Sequence, residues 1–207
     1  MARPTSGTPG TGLSVDKSRR VLGLVLAGGR SRRMGRDKAL LPHDGGTQLE
    51  HAAALLADVT DGVYVSVRAD QANDPVRGRF DHVVDRYEGI GPLAGILSAL
   101  EQSPDADWLI VACDLPNLDR RTLENLLTEA PDDAPLVAYR SSSDGLPEPL
   151  CALYRPAAAD ALRRYSADGV HCPRKIMLRE EAVLLDLPAP DALHNVNTPE
   201  ELAAATR

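Results

Sequence analysis

The apolar run Val21-Leu22-Gly23-Leu24-Val25-Leu26 empties directly into Ala27-Gly28-Gly29-Arg30-Ser31-Arg32-Arg33-Met34-Gly35-Arg36-Asp37-Lys38. A strand covered on both faces reads as a continuous apolar run, not an alternating one. The chain is therefore constrained at its start to a sheet with a layer on either side. Glycines at the strand exit let the backbone approach an anion and aim N–H groups at it. Arg30 to Lys38 carries five cations and one carboxylate, Asp37, in a chain of net charge −7. A cationic loop in an acidic chain points to a local anionic ligand and not to a surface that coats polyanions.

The same alternation continues downstream. Strands are predicted at 21–27, 62–67, 82–85, 108–113, 136–139, 150–154 and 183–187, and helices at 47–57, 92–102, 120–129, 157–165 and 199–205. Leu93, Ile96, Leu97 and Leu100 recur at helical spacing, as do Leu123, Leu126 and Leu127. Apolar strands alternating with helices give the α/β class: a Rossmann-like three-layer α/β/α sandwich around a mostly parallel sheet. Such sheets bind ligands beyond the carboxyl ends of their strands, at a topological switch point. The loop at 28–38 and Cys113-Asp114-Leu115-Pro116 both follow strand ends. Residues 1–19, rich in Gly, Pro, Thr and Ser, are expected to be a disordered leader, and 20–207 one domain without internal repeats. Cap signals support three helix starts: Asp119, Gly91-Pro92, and Thr198-Pro199-Glu200-Glu201.

Composition excludes several functions. A pI near 5.2 and 3% aromatic residues argue against nucleic-acid binding. No apolar run approaches the ~20 residues that span a bilayer, so no membrane contact is expected. Cys113, Cys151 and Cys172 lack a CxxC spacing and read as reduced, buried thiols of a cytoplasmic protein.

The loop is neither a Walker A loop nor a G-x-G-x-x-G fingerprint. A solvated surface loop is the bland alternative, but a strand exit, paired glycines and a lysine are a poor recipe for one. Arg33 and Lys38 are the best-suited phosphate contacts, Arg as a bidentate fork and Lys as a compact charge. Asp114, at a strand end before Leu-Pro, is suited to Mg²⁺, which takes one or two carboxylates plus phosphate oxygens. A turn or cap aspartate is the other reading there. Asp85 is open between a metal contact, a nucleotide contact and an ordinary turn carboxylate. Asn195 and Asn197 share one side of an extended segment and could read an organic ligand, or serve as turn and cap residues. The segment 144–150 is a proline-stiffened connection that could line an acceptor pocket. His171 and Cys172 beside Asp168 lack a second ligand pair and read as structural.

The string at 26–38 closely resembles the signature of molybdenum cofactor guanylyltransferases. So does the order of Asp85, Gly91-Pro92-Leu93-Ala94-Gly95, Cys113-Asp114-Leu115-Pro116 and Asn195-Val196-Asn197-Thr198-Pro199-Glu200-Glu201-Leu202. The likeness covers about 21–205. The resemblance implies transfer of GMP from GTP to the phosphate of the molybdenum-pterin cofactor, with release of pyrophosphate. It implies GTP contacts at Leu26, Ala27, Gly28, Gly29 and Lys38, assisted by Asp85. It implies Mg²⁺ on Asp114 and catalytic roles for Lys38, Arg33 and Asp114. Asn195 and Asn197 fall on the pterin side, and transient contact with cofactor-inserting or maturation proteins follows. Two departures stand out: Ser66 aligns where some relatives have an Asn on the nucleotide, and 145–154 differs from the best-known relatives. A relative using CTP or another nucleotide, on the pterin or on a sugar or alcohol phosphate, is the alternative enzyme. A nucleotide-sensing domain without catalysis is the alternative of another class.

Overall fold

The computed structural model describes residues 19–29 and 37–194. In chain order the elements are β1 (Val21–Leu26), β2 (Pro42–His43), β3 (Gly46–Thr47), α1 (Gln48–Ala57), β4 (Val63–Val67), β5 (Asp81–Val84), α2 (Pro92–Gln102), β6 (Asp107–Ala112), α3 (Arg120–Glu129), β7 (Leu136–Arg140), β8 (Pro147–Tyr154), α4 (Ala159–Ala167), α5 (Pro173–Arg179) and β9 (Val183–Leu185). Seven strands form one sheet in the order β5-β4-β1-β6-β8-β7-β9, and β2 and β3 make a small separate ribbon. Within the seven-stranded sheet β8 alone runs against the direction of the other strands, while β2 and β3 pair antiparallel with each other. Among the described residues no helix is long and apolar enough to cross a membrane.

The three layers follow from the period of two along each strand. Leu22 and Leu24 of β1 join Leu93, Ile96, Leu97, Trp108, Leu162 and Ile176 on one face. Val25 joins Leu49, Leu56, Val65, Leu109, Leu123 and Leu126 on the other. The capping chemistry is local. Thr47 Oγ1 accepts from the Glu50 backbone N–H at 3.2 Å while the Glu50 carboxylate accepts from Thr47 N–H at 2.9 Å, a reciprocal box that starts α1. Asp119 caps α3 by accepting from Thr122 N–H at 2.8 Å, as predicted. Gly91, at φ +62, turns the chain into Pro92 at the head of α2.

Three expectations need correcting. The strand predicted at 150–154 begins at Pro147, because a bulge between Ala138 and Tyr139 brings Glu148 opposite Tyr139 and admits the prolines that seemed to exclude pairing. Helix α5 was not predicted; its seven residues are too few to show a period. Cys172 is exposed, whereas Cys113 and Cys151 are buried. The leader and the helix at 199–205 lie outside the described residues.

Candidate active site

The order β5-β4-β1-β6 places β4 and β5 on one side of β1 and β6 on the other. The chain thus reverses direction across the sheet between β1 and β6, and a crevice opens beyond their carboxyl ends. Register then aligns the exits. Leu26 stands opposite both Ser66 and Ala112, and Ser66 stands opposite Val83. Two residues beyond that row come Gly28, Arg68, Asp85 and Asp114. One line across four parallel strands therefore delivers a bare backbone, a guanidinium and two carboxylates to one edge.

Contacts draw Gly28, Arg68 and Asp85 together, while Asp114 pairs with Lys38. A Cβ on Gly28 would lie 3.2 Å from Asp85 Oδ2, so the glycine is a close backbone approach. Arg68 donates to the Gly28 carbonyl and holds Asp70 at 2.9 Å. Ser66 Oγ donates to Asp85 Oδ1 at 2.7 Å. Burial raises the Asp85 carboxyl above the ordinary aspartate range, against the opposing pull of the Ser66 bond and the Arg68 charge. Lys38 Nζ donates to Asp114 Oδ2 at 2.8 Å, with both side chains about one-fifth exposed. Lys38 opens a short 3₁₀ turn that Asp37 caps by accepting from Ala39 N–H at 3.1 Å.

Arg77, only 1% exposed, joins the two groups. Its Nη2 donates to the Ala27 carbonyl at 2.9 Å and to Asp37 Oδ2 at 2.7 Å. Cys113 sits close enough to Asp114, Asp37 and Arg77 to feel all three charges, and burial pushes its thiol up to about 12, which leaves it unreactive. Neither Arg68 nor Arg77 was expected from the sequence. Arg68 could have been found from its place directly after a strand; Arg77 sits in Asp74-Pro75-Val76-Arg77-Gly78-Arg79, which carries no apolar period.

Beside Asp114 a cleft of about 310 Å³ is lined by Ala112, Ser142, Glu148, Cys151, Arg174 and Leu193, among others. Arg174 of α5 spans it, donating to Asp144 and to Glu148 at 3.0 Å each. Of the segment 144–150, Glu148, Pro149 and Leu150 line this cleft, and they belong to strand β8 and not to a loop. Of the other expected site residues, Leu26 ends β1, Ala27 is buried and Gly29 is exposed. Arg33, Asn195 and Asn197 lie outside the described residues.

The model of the MobA-like NTP transferase domain matches residues 23–183. The chain belongs to this family. Among MobA-like relatives, a molybdenum cofactor biosynthesis bifunctional protein of Synechocystis sp. is 38% identical over 195 residues, 92% of this chain. The match spans 55% of that protein, so the chain corresponds to about half of it. A molybdenum cofactor guanylyltransferase of Pseudomonas aeruginosa is 36% identical over 184 residues, covering 87% of this chain and 91% of that one. In three dimensions the MobA-like fold superposes on the molybdopterin-guanine dinucleotide biosynthesis protein A of Archaeoglobus fulgidus with a TM-score of 0.72 at 24% identity, covering 89% and 96% of the two chains. Rv0371c of Mycobacterium tuberculosis, solved as a complex with manganese, matches with a TM-score of 0.65 at 20% identity, covering 91% and 98%.

Proposed function

We propose that the chain is a molybdenum cofactor guanylyltransferase, transferring GMP from GTP to the terminal phosphate of the molybdenum-pterin cofactor with release of pyrophosphate. The observation that carries this is the pairing of Lys38 with Asp114 at the switch point, in line with Gly28 and Asp85. The relatives named as guanylyltransferases supply the base and the acceptor.

Among the described residues no group of three or more His, Cys, Asp or Glu could hold an ion. One carboxylate beside a triphosphate is nonetheless what Mg²⁺ uses, since it keeps waters and takes its remaining ligands from the phosphates. Asp114 would hold that ion, which when bound supplies charge neutralisation at the phosphate oxygens.

The protein's own groups do the remainder. The N–H groups of Gly28 and Gly29 fix the triphosphate, and Asp85 contacts the nucleotide. Arg33 takes the phosphate role and Asn195 and Asn197 the acceptor side. The acceptor phosphate is anionic near neutral pH, so it attacks the α-phosphate of GTP without a general base. The α-phosphate to β-phosphate bridge breaks and pyrophosphate departs. Lys38 offsets the charge that gathers on the leaving group, so catalysis is positioning plus electrostatic stabilisation.

The test is pyrophosphate release with cofactor as acceptor and each of the four nucleoside triphosphates. GTP is expected to be preferred, and Lys38→Ala to lose roughly 100-fold in turnover or more with an unchanged circular dichroism spectrum. Wild-type turnover in the folded variant refutes the role of Lys38, and a preference for CTP refutes the assignment of guanine.

A further inference from the structure

Arg77 is a buried cation far from any surface role. Its Nη2 bonds the Ala27 carbonyl at 2.9 Å and Asp37 Oδ2 at 2.7 Å. Its Nη1 lies 3.6 Å from Asp74 Oδ2. Ala27 and Asp37 are the two ends of the glycine-rich segment, ten positions apart along the chain. One guanidinium nitrogen therefore closes the base of that loop. Holding these two ends together fixes where Asp37 and the turn after it stand relative to the exit of β1.

The tie reaches the reacting groups through Asp37. While Oδ2 accepts from Arg77, Oδ1 accepts from Ala39 N–H at 3.1 Å. The carboxylate thus fixes the turn that carries Lys38, whose ammonium meets Asp114 at 2.8 Å. Arg77 is itself held from behind. Asp74 Oδ1 accepts from the backbone N–H groups of Val76 at 3.0 Å and Arg77 at 2.9 Å, which sets the short turn Arg77–Arg79. Lysine supplies one ammonium where Arg77 uses two nitrogens at once, Nη2 on the Ala27 carbonyl and Asp37 and Nη1 toward Asp74, so it loses the planar geometry that sets Nη2 in place.

We propose that Arg77 is a positioning residue for nucleotidyl transfer, clamping the Ala27 carbonyl and the Asp37 carboxylate together and thereby setting where Lys38 stands. This rests on the reading of the loop as the GTP site. It assigns to the segment between β4 and β5 a part in nucleotide binding, which Arg77 plays through Ala27 and Asp37.

The experiment is a double-mutant cycle of Arg77→Lys and Asp37→Asn, read as KM for GTP, kcat and melting temperature. Asp37 is partly exposed, so Asp37→Asn keeps the fold even where Arg77→Lys loses it. Asp37→Asn alone is expected to raise KM for GTP about tenfold with a melting temperature near that of the wild type. In the double variant the two effects on kcat/KM are expected to fall well short of multiplying, since each breaks the same clamp. Independent, multiplicative losses, or an unchanged KM in folded Asp37→Asn, overturn the proposal. If Arg77→Lys does not fold, the Asp37→Asn result alone decides. Failure of the wild type to use GTP at all refutes the nucleotide reading instead and is seen before any variant is made.

Discussion

Replacing Gly95 with alanine tests whether α2 is fitted to the strand exits as tightly as the structure shows. A Cβ at this position would lie 2.4 Å from Ser66 Oγ, 2.8 Å from Leu26 Cδ2 and 3.0 Å from Ser66 Cβ. Two effects oppose each other. Alanine favours a helix interior over glycine by about 1 kcal/mol. Forcing a methyl into a packed core costs about 1–3 kcal/mol. Here the upper end applies, because Ser66 is buried in a central strand and its hydroxyl is held by Asp85 at 2.7 Å. The net expectation is a loss of about 2 kcal/mol, which for a chain of this size is a fall of roughly 4–8 °C in melting temperature. Displacing Ser66 also loosens Asp85, so KM for GTP should rise in the same variant. Thermal melts followed by circular dichroism, with steady-state kinetics beside them, read both. The Ser66→Gly background removes two of the three contacts, and there Gly95→Ala should be close to neutral. An unchanged or raised melting temperature for Gly95→Ala in the wild-type background refutes the argument.

Two further outcomes are expected. His51 packs against His43 with ring centroids 4.0 Å apart, and burial, followed by the charge of His43, lowers its imidazole below 6.5, against the pull of Leu118 and Asp44. The unfolded chain therefore binds the extra proton first, so the stability is fully present above about pH 6.5 and is lost as the pH falls below it toward the lowered folded value. Melting temperature should drop between pH 7.5 and 5.5 and drop less in His51→Gln; equal drops refute the assignment. The thiols should divide by burial: Cys172 is exposed, whereas burial pushes Cys113 and Cys151 up to about 12. A disulfide exchange reagent should titrate one thiol in the folded protein and all three in denaturant, and rapid reaction of a second native thiol contradicts the model of a closed core.

The sheet was legible because its central strands are apolar on both faces. The runs ending at Leu26 and Ala112 need no alternation to declare themselves. Asp114 and Gly28 were legible for the same reason, since a polar or glycine residue just past such a run stands at a sheet edge. Arg77 was not, because its partners Ala27 and Asp37 are 50 and 40 residues away and nothing local marks it as buried. The charge alone pointed to solvent, and only tertiary pairing reverses that preference. β8 was misread at its start because proline excludes ladder pairing unless a bulge absorbs it, and a bulge leaves no sequence period.

The direction of β8 decides what can sit beside Asp114. A parallel strand next to β6 would need a crossover, and would bring its amino end to the far edge of the sheet. Because β8 is antiparallel to both β6 and β7, the hairpin between Arg140 and Pro147 stands at the same edge as the exits of β1 and β6. Gly145, at φ +72, makes the turn, and Ser141 N–H donates to the Leu146 carbonyl at 2.8 Å to close it. Ser142 then donates to the Pro190 carbonyl at 3.0 Å, tying the hairpin to the segment that leads toward 195–197. Arg174 fastens the other side through Asp144 and Glu148. The edge proposed to hold the nucleotide is thus built from parallel exits and the neighbouring cleft from an antiparallel turn. A single inverted strand sets the cleft spanned by Arg174 beside Asp114, where the proposed transfer would bring its two substrates together.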